Sequence, residues 1–198
     1  MRPLPQVAAR RPISAAPKPT PVPAQPKAQP QLVQEALAAL DRHGRRVAHH
    51  DRLAIVDFSQ PSAKPRMQLV DVDSGRIQEF LVAHGSGSDP GHTGFLHRFS
   101  NQPDSNASSQ GAFVTANYYV GKHGRSQRLL GLDPTNNNAL ERAIVVHGAW
   151  YAEADMIGAH GKLGRSQGCF AVGDSQLARV FEHLGTGRMI YAARGASA

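Results

Sequence analysis

Apolar residues along this chain fall into short runs, and only the first of them keeps a helical period clearly. In QLVQEALAALDRHG, Leu32, Val33, Ala36, Leu37 and Leu40 recur at helical spacing and Gly44 supplies a stop, which predicts a helix over 31–44. The period then changes. LAIVDF over 53–58 is a continuous apolar run of strand length. The runs RMQLVDV (66–72) and RIQEFLVA (76–83) flank Asp73, Ser74 and Gly75, a hairpin signal. GAFVTANYYV over 111–120 predicts another strand, with Tyr118 and Tyr119 on opposite faces, one in the core and one facing out. AIVV over 143–146 predicts a short buried strand that ends at His147. A weak helix is expected over 153–160, closed by Gly161. A better one is expected over 175–184, with Asp174 as its N-cap and Gly185 as its end. RMIYAA over 188–193 predicts the last strand. Residues 84–110 have no period. They are rich in Gly, Ser, Asn and His, and a loop of that length is a candidate lid or cleft wall. The pattern is mainly β with two or three helices, an α+β single domain.

Composition changes the picture at the N-terminus. Nine of the fourteen prolines lie in residues 1–30, with five Lys or Arg and no acid, so this stretch reads as a disordered Pro/Ala-rich basic leader. It carries five of the seven net positive charges and leaves residues 31–198 close to neutral. The basic balance is therefore no argument for nucleic acid, and no basic patch interleaved with aromatics is present. No apolar stretch approaches the ~20 residues of a membrane span. MRPLPQVAARRPISAAPKP lacks the ~7–15 apolar residues of a secretory signal.

Chemistry concentrates in two places. AIVVHGAWY sets His147 at the end of an apolar strand, followed by Gly148. GRSQGCFAV carries Cys169, the single cysteine of the chain. Thiolate attack on an acyl group needs a base, a nucleophile on an exposed turn, and donors for the oxyanion. His147 fits the first role and Cys169 the second. Gly168 lets the backbone turn, and the amides of Gln167, Gly168 and Cys169 are candidates for the third. Arg165 and the imidazole are expected to lower the thiol pKa. The bland reading is an inert core thiol. His84, Asp89, His92 and His97 share one loop, but their spacing fits no common metal motif, so no metal is expected. Ser86, Ser105 and Ser109 read as turn residues, and Trp150 and Tyr151 as candidates for lining a cleft.

The stretch HGAWYAEADMIGAHGKLGRSQGCFAV (147–172) resembles the signature of the L,D-transpeptidase (YkuD-like) catalytic domain, a His-Gly followed at an interval by Ser/Thr-x-Gly-Cys. The resemblance is closest to the murein L,D-transpeptidase catalytic domain family. VAHGSGSD, RFSNQPDSNASSQGAF, YYVGKHGRSQRLLGLDP and NNNALERAIVVHGAW look like further blocks of it, so the likeness spans about residues 50–192. It implies a β-sandwich or open barrel, and a cysteine acyltransferase or L,D-carboxypeptidase acting on peptidoglycan stem tetrapeptides. Cys169 would attack the bond before the terminal D-Ala, with His147 as base. The acyl group would pass to an amine or to water. Ser166, Gly168, Arg165, Gln167 and Gly148 match positions around the oxyanion hole and acyl-donor groove. The His is expected to be oriented by a backbone carbonyl, with Asp133 the acid to compare. The resemblance further implies carbapenem-type β-lactams as covalent inhibitors, no cofactor, a monomer, and a place in the periplasm or cell envelope. Two positions depart from the commoner signature: Gln167 stands where a His is usual, and Ala171 where Asn or Arg is usual. They motivate the competing reading of a weak or inactive peptidoglycan-binding protein of the same fold; a cysteine peptidase of unrelated substrate is a third.

Overall fold

The computed structural model describes residues 30–195, and the leader expected over 1–30 lies outside them apart from Pro30. Pro30 opens the first helix, α1 (Pro30–His43), which stops at Gly44 as expected. Eight strands follow in one sheet: β1 (Arg52–Asp57), β2 (Met67–Asp71), β3 (Ile77–Phe80), β4 (Gly111–Gly121), β5 (Gly124–Gly131), β6 (Val145–Gly148), β7 (Phe170–Val172) and β8 (Met189–Ala193). Two more helices, α2 (Asp155–His160) and α3 (Asp174–Leu184), complete the fold.

The strand order is β3-β2-β1-β8-β4-β5-β6-β7. The β1–β8 and β6–β7 pairs are parallel and the others antiparallel. Past β3 the chain crosses to the opposite edge. Ala83 bridges Ala171 of β7, and Gly85 bridges Ser166. The sheet thus curls toward closure, as the expected open barrel does.

The continuous apolar run of β1 follows from burial on both faces, which removes the alternation of a half-wet strand. Ala54 and Val56 face the interior, among Phe58, Phe113, Phe170, Ile190 and α3 residues Val180, Phe181 and Leu184. Leu53 and Ile55 face outward and are covered by α1 through Leu32, Ala36, Ala39 and Leu40. Leu37, expected in that apolar stripe, is exposed, and Ala39 takes a buried place instead.

Two strands were not expected, and one cap needs correction. β5 (GRSQRLLG) was not expected, because its sequence carries only two large apolar residues. It forms by closing a hairpin on β4 over a two-residue turn, and Arg125 and Arg128 lie over the rings of Tyr118 and Tyr119. β7 is three residues long, too short to carry a period of its own. Asp174 does not cap α3: it is the helix's first residue, and the cap position, Gly173, has no side chain. The Glu153 carboxylate does the work, accepting from the Ser175 N–H and hydroxyl at 2.8 Å each.

Candidate active site

The β6–β7 pair sets the site. Val146 lies opposite Phe170, His147 opposite Ala171 and Gly148 opposite Val172. Side chains alternate along each strand, so Val146, Phe170 and Val172 enter the core. The same alternation puts His147 and Cys169, two residues before Ala171, on the other face. That face opens into a cleft of about 360 Å³, which His147, Cys169, Arg165, Ser166 and Gln167 all line. Gly168 and Gly148 do not line it.

Gly168 stands immediately before Cys169 with φ +109°, a backbone state that side chains rarely adopt. A Cβ there would lie 2.7 Å from the Ala107 carbonyl oxygen. Gly148 is required for space: a Cβ would meet Asp174 Oδ1 at 2.3 Å. Its carbonyl accepts from His147 Nδ1 at 2.8 Å. A carbonyl oxygen only accepts, so Nδ1 carries the proton and Nε2 keeps its lone pair. Asp133 plays no part in this: it is bound to His43 Nε2 (2.8 Å) and accepts from the Ala112 N–H (2.7 Å). Burial holds the His147 pKa below the ordinary value. The Gly148 carbonyl and Asp174 pull it upward, and His123 and Lys122 push it further down.

Burial pushes the Cys169 thiol up, against the opposing pull of the Val145 backbone, Lys122 and Arg142. The expected lowering by Arg165 is corrected on two counts. The cations that favour the thiolate are Lys122 and Arg142, and desolvation outweighs them. Arg165 instead donates to the carbonyl oxygens of Asp89 and Pro90. The thiol sits 3.6 Å from the carbonyl oxygen of Ala143, a residue with φ +53°. The site therefore pairs a protonated thiol with a neutral imidazole.

Ser166 closes the turn. Its Oγ donates to the Cys169 carbonyl (2.7 Å) and accepts from the Gly168 N–H (3.1 Å). That takes the Gly168 amide out of the expected oxyanion trio, because a short hydroxyl side chain competes for nearby backbone donors.

The long loop, expected as a lid or cleft wall, contributes no residue to the cleft lining; it is pinned beside the site by Arg142, a lining residue that the motif left out. Arg142 donates to the carbonyl oxygens of Ser100 (2.9 Å) and Ala107 (2.6 Å), and to the hydroxyls of Ser109 (2.6 Å) and Ser105 (3.2 Å). Lys122 and His123, at the β4–β5 turn, also line the cleft, and the His123 ring stacks on His147 with centroids 4.2 Å apart. No turn was expected at Gly121-Lys122-His123-Gly124, and its reach over His147 depends on the sheet's closure. Tyr119 and Tyr151 line the cleft, while Tyr118 packs on Phe181 and Trp150 is exposed. His84 and Asp89 are buried in a network with Arg66, and no group of three or more His, Cys, Asp or Glu side chains among the described residues is arranged to hold a metal.

A family model of the L,D-transpeptidase catalytic domain matches residues 24–193. The chain belongs to that family. Solved structures of L,D-transpeptidases are similar to the chain at low identity and modest TM-score. The enzyme from Mycobacterium smegmatis is 12% identical with a TM-score of 0.43, over 72% of this chain and 58% of that one. An L,D-transpeptidase in complex with imipenem gives 12% and 0.43, over 72% and 59%. The protein from Stackebrandtia nassauensis gives 15% and 0.40, over 86% and 70%. The match thus spans under two thirds of the length of the first two. No curated protein matches the chain.

Proposed function

We propose that this L,D-transpeptidase domain is a cysteine acyltransferase of peptidoglycan, working through Cys169 and His147 on stem tetrapeptides in the periplasm or cell envelope. The observation that carries this reading is the shared outward face of His147 and Cys169 at one cleft, with Nδ1 of the His tied to a carbonyl. His147 Nε2 takes the Cys169 proton as Sγ attacks the carbonyl carbon between the third residue and D-Ala. The Cys169 amide, on the turn itself, receives the developing oxyanion. His147 then returns the proton to the leaving D-Ala amine as the C–N bond breaks, leaving a thioester. An amine or water attacks the thioester, His147 takes its proton, and the C–S bond breaks as His147 returns that proton to Sγ.

The cleft lining holds Lys122, Arg142 and Arg165 and no Asp or Glu. That charge suits the carboxylates of a diaminopimelate stem and of D-Ala. Arg165 and Gln167 serve the donor groove; Ser166, Gly168 and Gly148 serve by shaping it. Residues 1–30 act as a tether to residues 31–198.

Intact-mass spectrometry after incubation with a carbapenem tests the reading, with Cys169→Ser alongside. The expected result is one adduct on the wild type and none on the folded variant, and release of D-Ala from stem tetrapeptide that the variant lacks. His147→Ala is expected to slow that release by about 10²–10⁴-fold, the usual worth of a general base. A wild type with a free thiol, no adduct and no release overturns it, and favours the binding protein of the same fold, with Gln167 and Ala171 the first residues to revert to the commoner signature.

A further inference from the structure

His147 is tied by one hydrogen bond, from Nδ1 to the Gly148 carbonyl at 2.8 Å. A single bond along one edge does not by itself fix the tilt of the ring, and the proton path needs Nε2 aimed at the Cys169 thiol. A base misplaced by an ångström loses much of its effect. The second restraint comes from the β4–β5 hairpin. Gly121 pairs with Gly124, so Lys122 and His123 alone make the turn. Gly124 takes φ +70°, which suits such a tight reversal. The turn lays the His123 ring over the His147 ring, centroids 4.2 Å apart and planes 18° from parallel. His123 itself is exposed, whereas His147 is buried. The hairpin tip therefore closes the solvent side of the base.

We propose that His123 is a positioning residue for His147: it clamps the ring so that Nε2 faces the thiol, and a proton taken by His123 is one that His147 refuses. The inference rests on the reading of His147 as the base. Two neutral imidazoles stack well, and so do a neutral and a charged one; two cations at this separation repel. The groups that bear on His147 come from every element around it. Lys122 and His123 face it from the hairpin tip, Asp174 from α3, Cys169 from the turn before β7, and Tyr119, Tyr151 and Arg142 from the cleft walls. Asp174 is the lone carboxylate among them and favours the charged base; Lys122 and His123 oppose it. Burial lowers the His123 pKa as well, and Lys122 pushes it the same way. The expected consequence is a base that stays neutral, and a site that stays active, further into mild acid than one without the stacked partner.

Two substitutions in the full chain separate clamping from charge. His123→Phe keeps a flat ring in the stack and removes the proton site; His123→Ala removes both. The readouts are the NMR titration of the His147 ring, assigned with a His147→Gln spectrum, and the pH profile of Cys169 acylation by a carbapenem, followed by intact mass. In His123→Phe the His147 titration and the acid limb of the profile are expected to move together to higher pH, by about one unit. In His123→Ala the plateau rate is expected to fall about tenfold, and Phe recovers part of that loss. Titration and acid limb unmoved in both variants, with Phe as impaired as Ala, overturn the proposal. If the wild type is not acylated while the His147 titration still moves in His123→Phe, the stacked pair stands and the catalytic reading falls.

Discussion

At the scale of single residues the site depends on what glycines leave room for. Gly148 gives His147 its carbonyl anchor and at the same time lets Asp174 come close to β6. A methyl group at 148 would overlap Asp174 Oδ1, so Gly148→Ala is expected to cost about 1–3 kcal/mol of stability, the range for overpacking a tight site. The check is a urea titration of Gly148→Ala beside the double variant with Asp174→Ala. Removing the carboxylate is expected to return much of the loss, which a general strand defect would not allow. Arg142 is the complementary case, a cation held by four acceptors on the loop, and so placed where it also favours the Cys169 thiolate. Nothing in the local sequence of Arg142 marks it, because every one of its partners lies more than 30 residues away.

At the scale of elements, short strands and helices are held by their neighbours more than by their own propensity. The six residues of α2 and the three of β7 are too few to stand alone. The start of α3 is secured from outside, by Glu153 on the segment before α2. Glu153→Ala is expected to lower stability by about 1 kcal/mol, the usual worth of a lost cap, while Asp174→Asn leaves the helix start intact; thermal unfolding by circular dichroism compares the two. The β4–β5 hairpin shows the same dependence. Buried Gln127 donates from Nε2 to the carbonyl oxygens of Ala116 and Gly185, stitching the irregularity between Thr115 and Tyr118. That irregular stretch leads directly to the tip that carries Lys122 and His123.

At the scale of the whole molecule, two layers support the cleft. The outer one is α1 on the far side of the sheet. Leu32→Ala is expected to cost about 2–3 kcal/mol, since its side chain is fully buried against β1 and β8 neighbours; a shift of the denaturant midpoint with unchanged slope measures it. The inner one is the buried network under the long loop. Arg66 donates to the Val82 carbonyl and to His84 Nδ1 (2.8 Å), so His84 carries its proton on Nε2, facing Asp89 Oδ2 at 3.4 Å. Burial and Arg66 push the His84 pKa down to about 4. Against its own burial, the Thr93 and Gly94 amides hold Asp89 at about 2. Between pH 6.5 and about 4 the unfolded chain binds a proton at His84 that the folded chain refuses. Stability is therefore expected to fall across that window as pH drops, by on the order of 3 kcal/mol. Asp89 adds a second loss only below about pH 4, complete as pH passes 2. Urea midpoints at pH 7, 5 and 4 check this, and His84→Gln is expected to flatten the upper part.

Much of this was legible in the chain. Apolar runs such as Leu53–Phe58 and the α1 stripe report burial directly, because hydrophobic periodicity is a local record of which faces leave water. Cys169 with Ser166 before it, and His147 closing an apolar run, likewise marked residues that the fold brings to one cleft. What tertiary structure alone decided are the things that depend on partners distant in sequence. β5 and β7 exist because neighbouring strands complete their hydrogen bonds. Glu153 reached Ser175 across 22 residues to do what Asp174 was expected to do. The thiol's favouring charges came from Lys122 and Arg142, while Arg165 was taken up by backbone carbonyls. His123 came to cover His147 because the β4–β5 turn ends there in space. Electrostatics and stacking act through a few ångströms of space, and only the closure of the sheet sets those distances.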